Sequence, residues 1–343
     1  VIRRLAAVAL ILVALAGCSR DSDVERDWLE KDVTFDSNGL TLHGTYRHLS
    51  GDGVGPAALL ISESGQTDRN GDNNVAGPIG NMRQLAEFLS ERGVATLRYD
   101  KIGTGVTGLG PFAGRPADIG SAMYTDGARA ALRFLAGQAG VDGDRLSVYA
   151  LGEGTIHAML LADDSSPGAP RIHSLGLLQP LPARYLDLIT GRVRTNVEAA
   201  VRVGSQTQQQ ADSVLAAWRA AVEQVRTTGT VPVDLPDGLS AIVNPGNVKA
   251  VVESDAIDPV DVATRIPADT PVLLTCSDSD GQAPCSQMQP MVSALDRTAL
   301  QFVELSGVNH VLRDDPTDNV AGYARKGPLS PQLTAALDVF IDQ

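Results

Sequence analysis

Aromatic residues are scarce, with two Trp, six Tyr and six Phe in 343 residues. So few rings leave little for the stacking platforms that hold sugars and bases. Lysine is scarcer still, four against 24 arginines, and no basic block occurs anywhere in the chain. With 41 acidic and 28 basic residues the formal charge is −13, which sets a nucleic-acid partner aside because phosphates would be repelled. The five histidines, His43, His48, His157, His173 and His310, share no metal-ligand spacing. What is present is apolar content: 43% hydrophobic and 20% charged residues over this length can bury a core for one large or two small domains, which excludes disorder, collagen and coiled coil. Cysteines number three, an odd count.

The first of them closes a targeting pattern. Arg3-Arg4 precede residues 5–16, which carry no charge, a basic n-region and an h-region too short to span a bilayer. The run ends Leu15-Ala16-Gly17-Cys18, which resembles a bacterial lipobox. That resemblance implies a signal peptide over 1–17, lipidation (palmitate) of Cys18, and an extracytoplasmic protein anchored to the cell membrane. An ordinary secretory signal with a chance cysteine is the alternative. Residues 18–30 are polar and read as a tether, and 31–343 as the folded body. Without Arg3 and Arg4 the balance is 26 basic against 41 acidic residues, a charge of −15.

From residue 33 onward short apolar strands alternate with amphipathic helices. Strands are expected at 33–35, 40–46, 57–61, 95–99, 146–150, 173–178, 272–276 and 301–305, with Ser37-Asn38-Gly39 as a tight hairpin turn. Helices are expected at 82–92, 118–139, from Gly154, and at 331–340. This order predicts an α/β protein with a mostly parallel sheet and an antiparallel start. Between about 182 and 257 the alternation stops, with one helical pattern at 211–226. An insertion there is expected to cap the C-terminal edge of the sheet, where such folds bind ligands.

Five segments carry a family resemblance. Ser62-Glu63-Ser64-Gly65-Gln66-Thr67-Asp68-Arg69-Asn70-Gly71 resembles an oxyanion loop reading Gly-Ser-Gly-Pro-Thr-Asp-Arg-Asn-Gly. Arg98-Tyr99-Asp100-Lys101-Ile102-Gly103-Thr104-Gly105 resembles an Arg-Tyr-Asp-Lys-Arg-Gly-x-Gly turn. Ala150-Leu151-Gly152-Glu153-Gly154 stands where a Gly-x-Ser-x-Gly nucleophile elbow belongs, Cys276-Ser277-Asp278-Ser279-Asp280 at an acid turn, and Gly307-Val308-Asn309-His310 at a histidine turn. In this order they are similar to the α/β-hydrolases of the serine aminopeptidase-like and EstD-like bacterial esterase group. The resemblance implies an α/β-hydrolase fold, an ester or acyl-bearing small-molecule ligand, and no cofactor or metal.

It also implies a triad of which one member is missing. The nucleophile position is Gly152, which has no side chain to attack a carbonyl. Asp280 and His310 remain at the orienting and general-base positions, either as inherited scaffold or with His310 activating a water. The backbone N–H of Glu153 is expected at the oxyanion position. Glu63 replaces a glycine there, where a carboxylate would repel a developing oxyanion, and Ser64 reads as a hydrogen bonder within the loop. Thr155, Ser277 and Ser279 are read as structural, and Asp68, Arg69 and Asn70 as ties between the loop and the Asp100-Lys101 turn. In an oxidising compartment Cys276 and Cys285 are expected to bond around Asp280, stabilising by on the order of 2 to 3 kcal/mol; two buried thiols are the alternative. Three functions follow: a degenerate hydrolase that binds a small ligand or a partner, a hydrolase with an unconventional nucleophile, or an envelope interaction protein.

Overall fold

The computed structural model describes residues 27–236 and 238–341. The signal segment and Cys18 lie outside the described residues. Eight strands make one sheet: β1 (Trp28–Ser37), β2 (Leu40–Leu49), β3 (Gly55–Ile61), β4 (Ala95–Tyr99), β5 (Val141–Leu151), β6 (Ser174–Leu178), β7 (Pro271–Ser277) and β8 (Ala299–Leu305), in the spatial order β1-β2-β4-β3-β5-β6-β7-β8. The β1–β2 and β2–β4 pairs are antiparallel and the other five are parallel. This is the expected mostly parallel sheet with an antiparallel start. The hairpin turn holds Asn38 at φ 54° and Gly39 at φ 83°, the left-handed pair that Asn-Gly favours.

Strand β1 starts earlier than expected, so Trp28 to Glu30 belong to the sheet and not to a tether. Trp28 pairs with Leu49 under the Arg47 guanidinium, and Glu30 accepts from Arg98 Nη1 at 3.1 Å.

Successive strand residues face opposite layers. Leu59, Leu97, Val148, Leu175 and Leu274 face helices α2 (Ser121–Ala136) and α3 (Gly154–Ala162), whereas Leu60, Tyr149, Leu178 and Leu273 face α1 (Asn81–Glu91) and the C-terminal helix Pro331–Ile341. Helix α2 is shorter than expected because Pro116–Asp118 forms a separate 3-10 turn and Gly137 ends it.

Between β6 and β7 come α4 (Tyr185–Arg202), α5 (Gln208–Thr228), α6 (Leu239–Ile242), α7 (Val248–Asp255) and α8 (Pro259–Ala263). Helix α5 begins three residues before the apolar pattern because Thr207 and Gln210 form a reciprocal capping box. Helix α4 was not anticipated: its buried stripe is only Leu186, Val193 and Val197, set among charged residues. These helices have their own core, in which Trp218 is fully buried with Leu186, Val225 and Val251. Asp255 ties α7 to its neighbours, accepting from Arg226 Nε at 2.8 Å, Leu186 N at 2.9 Å and Arg184 Nη2 at 3.1 Å. Asp258 caps α8, with Pro259 at its first position. Among the described residues no helix is long and apolar enough to cross a membrane.

Candidate active site

Strand β5 turns into α3 through Gly152, whose φ is +56°. At Gly154 a Cβ would come within 2.8 Å of the Ile61 and Ser62 carbonyl oxygens, so only glycine lets the helix start this close to β3. The corner is thus the strained strand-to-helix elbow that presents a nucleophile in other proteins, built here without one. The amide of Glu153 donates to no backbone acceptor among the described residues. Thr155 is no substitute nucleophile, since it is fully buried and its hydroxyl donates to Gly152 O at 2.6 Å.

Asp280 follows β7 and His310 follows β8. His310 Nδ1 lies 2.8 Å from Asp280 Oδ2, both side chains being essentially inaccessible. Asp318 holds the two loops together, accepting from Gly281 N and His310 N, each at 2.9 Å, and from the Tyr323 hydroxyl at 2.6 Å. Cys276 and Cys285 form a disulfide with Cα atoms 5.0 Å apart, closing the loop that carries Asp280. Ser277 Oγ accepts from Ser279 N at 3.1 Å and Ser279 Oγ donates to Asp278 at 2.9 Å, so both serines brace that turn.

The other face of the imidazole is occupied. His310 Nε2 lies 3.0 Å from Glu63 Oε2, with the Glu63 side chain only 12% exposed. A Cβ added at Gly152 would stand 3.1 Å from the same Nε2 and 3.4 Å from Glu63 Cβ. Glu63 therefore reaches the place a nucleophile at position 152 would use. Burial disfavours the imidazolium, but Asp280 and then Glu63 outweigh it and push the His310 pKa up to about 10. At Asp280 burial pushes the pKa up and the imidazolium more than reverses it. The raised pKa favours the imidazolium at neutral pH, and each ring nitrogen faces a carboxylate, which leaves neither free for a water.

The loop after β3 is tied to the Asp100 turn through Arg69, as expected, whereas Asn70 is held by Arg98 and Asp68 bonds within the loop. Arg69 N and Nη2 donate to Asp100 at 2.9 and 3.0 Å, Asn70 Oδ1 accepts from Arg98 Nε at 3.1 Å, and Asp68 Oδ1 accepts from Asn70 N at 2.7 Å. Ser64 is exposed and accepts from the Thr67 hydroxyl through its carbonyl at 2.9 Å. Buried Lys101 donates to the carbonyl oxygens of Ser62 and Glu63, which holds Glu63 toward the histidine.

Beside the elbow, under α4 and α7, lies a cavity of about 290 Å³ reached by Lys101, Glu153, His157 and Tyr185. Larger clefts of about 340, 470 and 850 Å³ open at the N-terminal ends of the parallel strands, and one of about 380 Å³ lies between α4 and the Asp280 loop, lined by Asp187, Arg192, Gly281 and Gln282; the cavity of about 290 Å³ is the one that reaches Glu153 at the elbow. Sequence reading missed His157, which stands one helical turn after Glu153 on the same face of α3. It is buried, hydrogen-bonds Thr125 Oγ1 through Nδ1 at 2.9 Å, and is kept neutral by burial and Lys101, which lower its pKa to about 3. Among the described residues no group of three His, Cys, Asp or Glu is placed to hold a metal ion.

No family model matches the sequence, and no curated protein matches it. Solved structures do match in shape. An esterase from Pyrococcus furiosus is 14% identical with TM-score 0.54, over 92% of either chain. Acetyl xylan esterase 1 from Thermoanaerobacterium is 15% identical with TM-score 0.50, over 93% of this chain and 88% of that one. A dienelactone hydrolase-like promiscuous phosphotriesterase from metagenomic libraries is 14% identical with TM-score 0.51, over 92% and 96%. With the sheet order, the elbow after β5 and the acid and histidine loops after β7 and β8, these likenesses establish that the chain has the α/β-hydrolase fold.

Proposed function

We propose that this is a ligand-binding protein on an esterase-related hydrolase scaffold that does not cleave esters, held at an envelope membrane by a lipid on Cys18. The single observation that carries the loss of activity is the 3.0 Å pair between His310 Nε2 and Glu63 Oε2 opposite a glycine. A serine hydrolase needs a neutral imidazole beside a hydroxyl; here two carboxylates raise the imidazole pKa and occupy both its nitrogens, and no side-chain hydroxyl stands at position 152. In a studied serine protease, removing the nucleophile alone costs on the order of a millionfold in turnover. The intact elbow and the cavity beside it are what a binding protein descended from such a scaffold would keep.

A fluorophosphonate probe tests the reading on the purified protein, together with hydrolysis of p-nitrophenyl acetate. Neither labelling nor hydrolysis above the rate in buffer is expected. Labelling abolished by substitution of one serine or threonine would overturn it in favour of an unconventional nucleophile. The anchor is tested separately, by feeding bacterial cells that express the full chain an alkynyl palmitate: Cys18→Ala should abolish incorporation, and incorporation that survives it would refute lipidation there.

A further inference from the structure

The cavity beside the elbow has two walls of unlike charge. On the side of the sheet stand Tyr124, Glu153 and His157, and on the side of α4 and α7 stand Tyr185, Arg192 and Asn247. The Glu153 carboxylate accepts no hydrogen bond from any described residue, and burial, ahead of the opposing pull of Lys101, pushes its pKa up. Lys101, the nearest ammonium, is turned to the Ser62 and Glu63 carbonyl oxygens. Across the cavity Arg192 is exposed and bonds only the neutral Gln282 Oε1, at 2.7 Å, with no carboxylate partner among the described residues. Two of the chain's six tyrosines line the space between them, and Glu153 lies close enough to add to the rise that burial gives both phenols.

A carboxylate lacking a donor and a guanidinium lacking an acid, on opposite walls of one cavity, define what can fill it. A simple cation would be drawn to Glu153 but repelled by Lys101 and Arg192. A simple anion would be drawn to Arg192 but repelled by Glu153, with Glu63 behind it. A molecule bearing both charges answers all of them. We propose that this cavity binds a small amino-carboxylate zwitterion, its ammonium between the Tyr124 and Tyr185 rings against Glu153 and its carboxylate toward Arg192 and Asn247. Aromatic faces favour an ammonium, and a bidentate fork on Arg192 suits a carboxylate. Neutral His157 completes the floor without adding charge. The volume of about 290 Å³ lies at the small end of ligand sites, which run from roughly 300 Å³, and restricts the ligand to a metabolite-sized molecule. This deepens the proposed function and rests on its ligand-binding half.

Three five-carbon probes separate the charges: 5-aminopentanoate, pentanoate and pentylamine, titrated calorimetrically into the purified protein at neutral pH. The zwitterion is expected to bind at least about tenfold more tightly than either singly charged analogue. Glu153→Gln should weaken it about tenfold or more, and so should Arg192→Gln, the latter removing the advantage over pentylamine. Because Arg192 is exposed and the comparison of probes needs no variant, a folding defect in Glu153→Gln leaves the test intact. Equal binding of the three, preference for a singly charged probe, or no binding into the millimolar range would overturn the proposal. Ester hydrolysis measured on the same sample reads the other half independently: hydrolysis together with zwitterion binding would overturn only the loss of activity.

Discussion

His310 Nε2 and Glu63 Oε2 are 3.0 Å apart, and a Cβ at position 152 would stand 3.1 Å from the same nitrogen. One nitrogen of the histidine, whose N–H donates to Glu63, is thus contested by two positions in the chain, and Glu63 holds it. Gly152→Ser alone is therefore expected to give no fluorophosphonate labelling, because the new hydroxyl would face an imidazolium. Gly152→Ser combined with Glu63→Gly should label and hydrolyse p-nitrophenyl acetate slowly. Full labelling of the single variant would show that Glu63 does not control the histidine.

The same pair predicts a pH dependence. His310 is raised from 6.5 to about 10 in the folded state, so between these values the folded protein binds the extra proton and stability must fall as pH rises. The contribution is complete below about pH 6.5 and is lost through pH 10, amounting to a few kcal/mol. Urea unfolding at pH 6 and pH 9 measures it. The loss should shrink in Glu63→Gln; an unchanged slope in that variant would contradict the ion pair.

Removing the cation is expected to be more damaging than removing either anion. His310→Ala leaves buried Asp280 without its positive partner and Glu63 with only Lys101 nearby, at an expected cost of about 3 to 5 kcal/mol. Adding Glu63→Ala should recover part of it, and urea midpoints of the single and double variants supply the coupling. Additive effects would mean that the two side chains do not interact.

The disulfide gives a fourth expectation. Cys276→Ser with Cys285→Ser should lower stability by on the order of 2 to 3 kcal/mol and speed amide exchange across residues 278–285. A double variant as stable as the wild type would show that the remaining contacts of the acid loop, including Gln282 N to Asp280 at 2.7 Å, suffice.

Much of the fold was legible in the chain. The continuous apolar run at β3 reads as a strand buried on both faces, and the alternation of strands with helices reads as a mostly parallel sheet. Helix α4 escaped notice because three buried positions among charges leave a faint periodicity. The candidate site was legible as positions rather than as contacts: Gly152, Asp280 and His310 stand in the order the resemblance implies, while Tyr124, His157, Tyr185 and Arg192 stand in no motif and share a cavity only once α4 and α7 lie over the elbow.

Glu63 marks the boundary between the two kinds of knowledge. From the chain alone it is a carboxylate where a glycine belongs, expected to repel a developing oxyanion, and Gly152 is an elbow without a nucleophile. Those conclusions rest on residue identity read against the resemblance of five segments to a known family. That Glu63 instead neutralises His310 was decided by tertiary structure, because the loops after β3 and β8 meet only when the intervening strands stack and bring their C-terminal ends together. Against the cost of burial, Glu63 on one side of the ring and Asp280 on the other favour the protonated histidine.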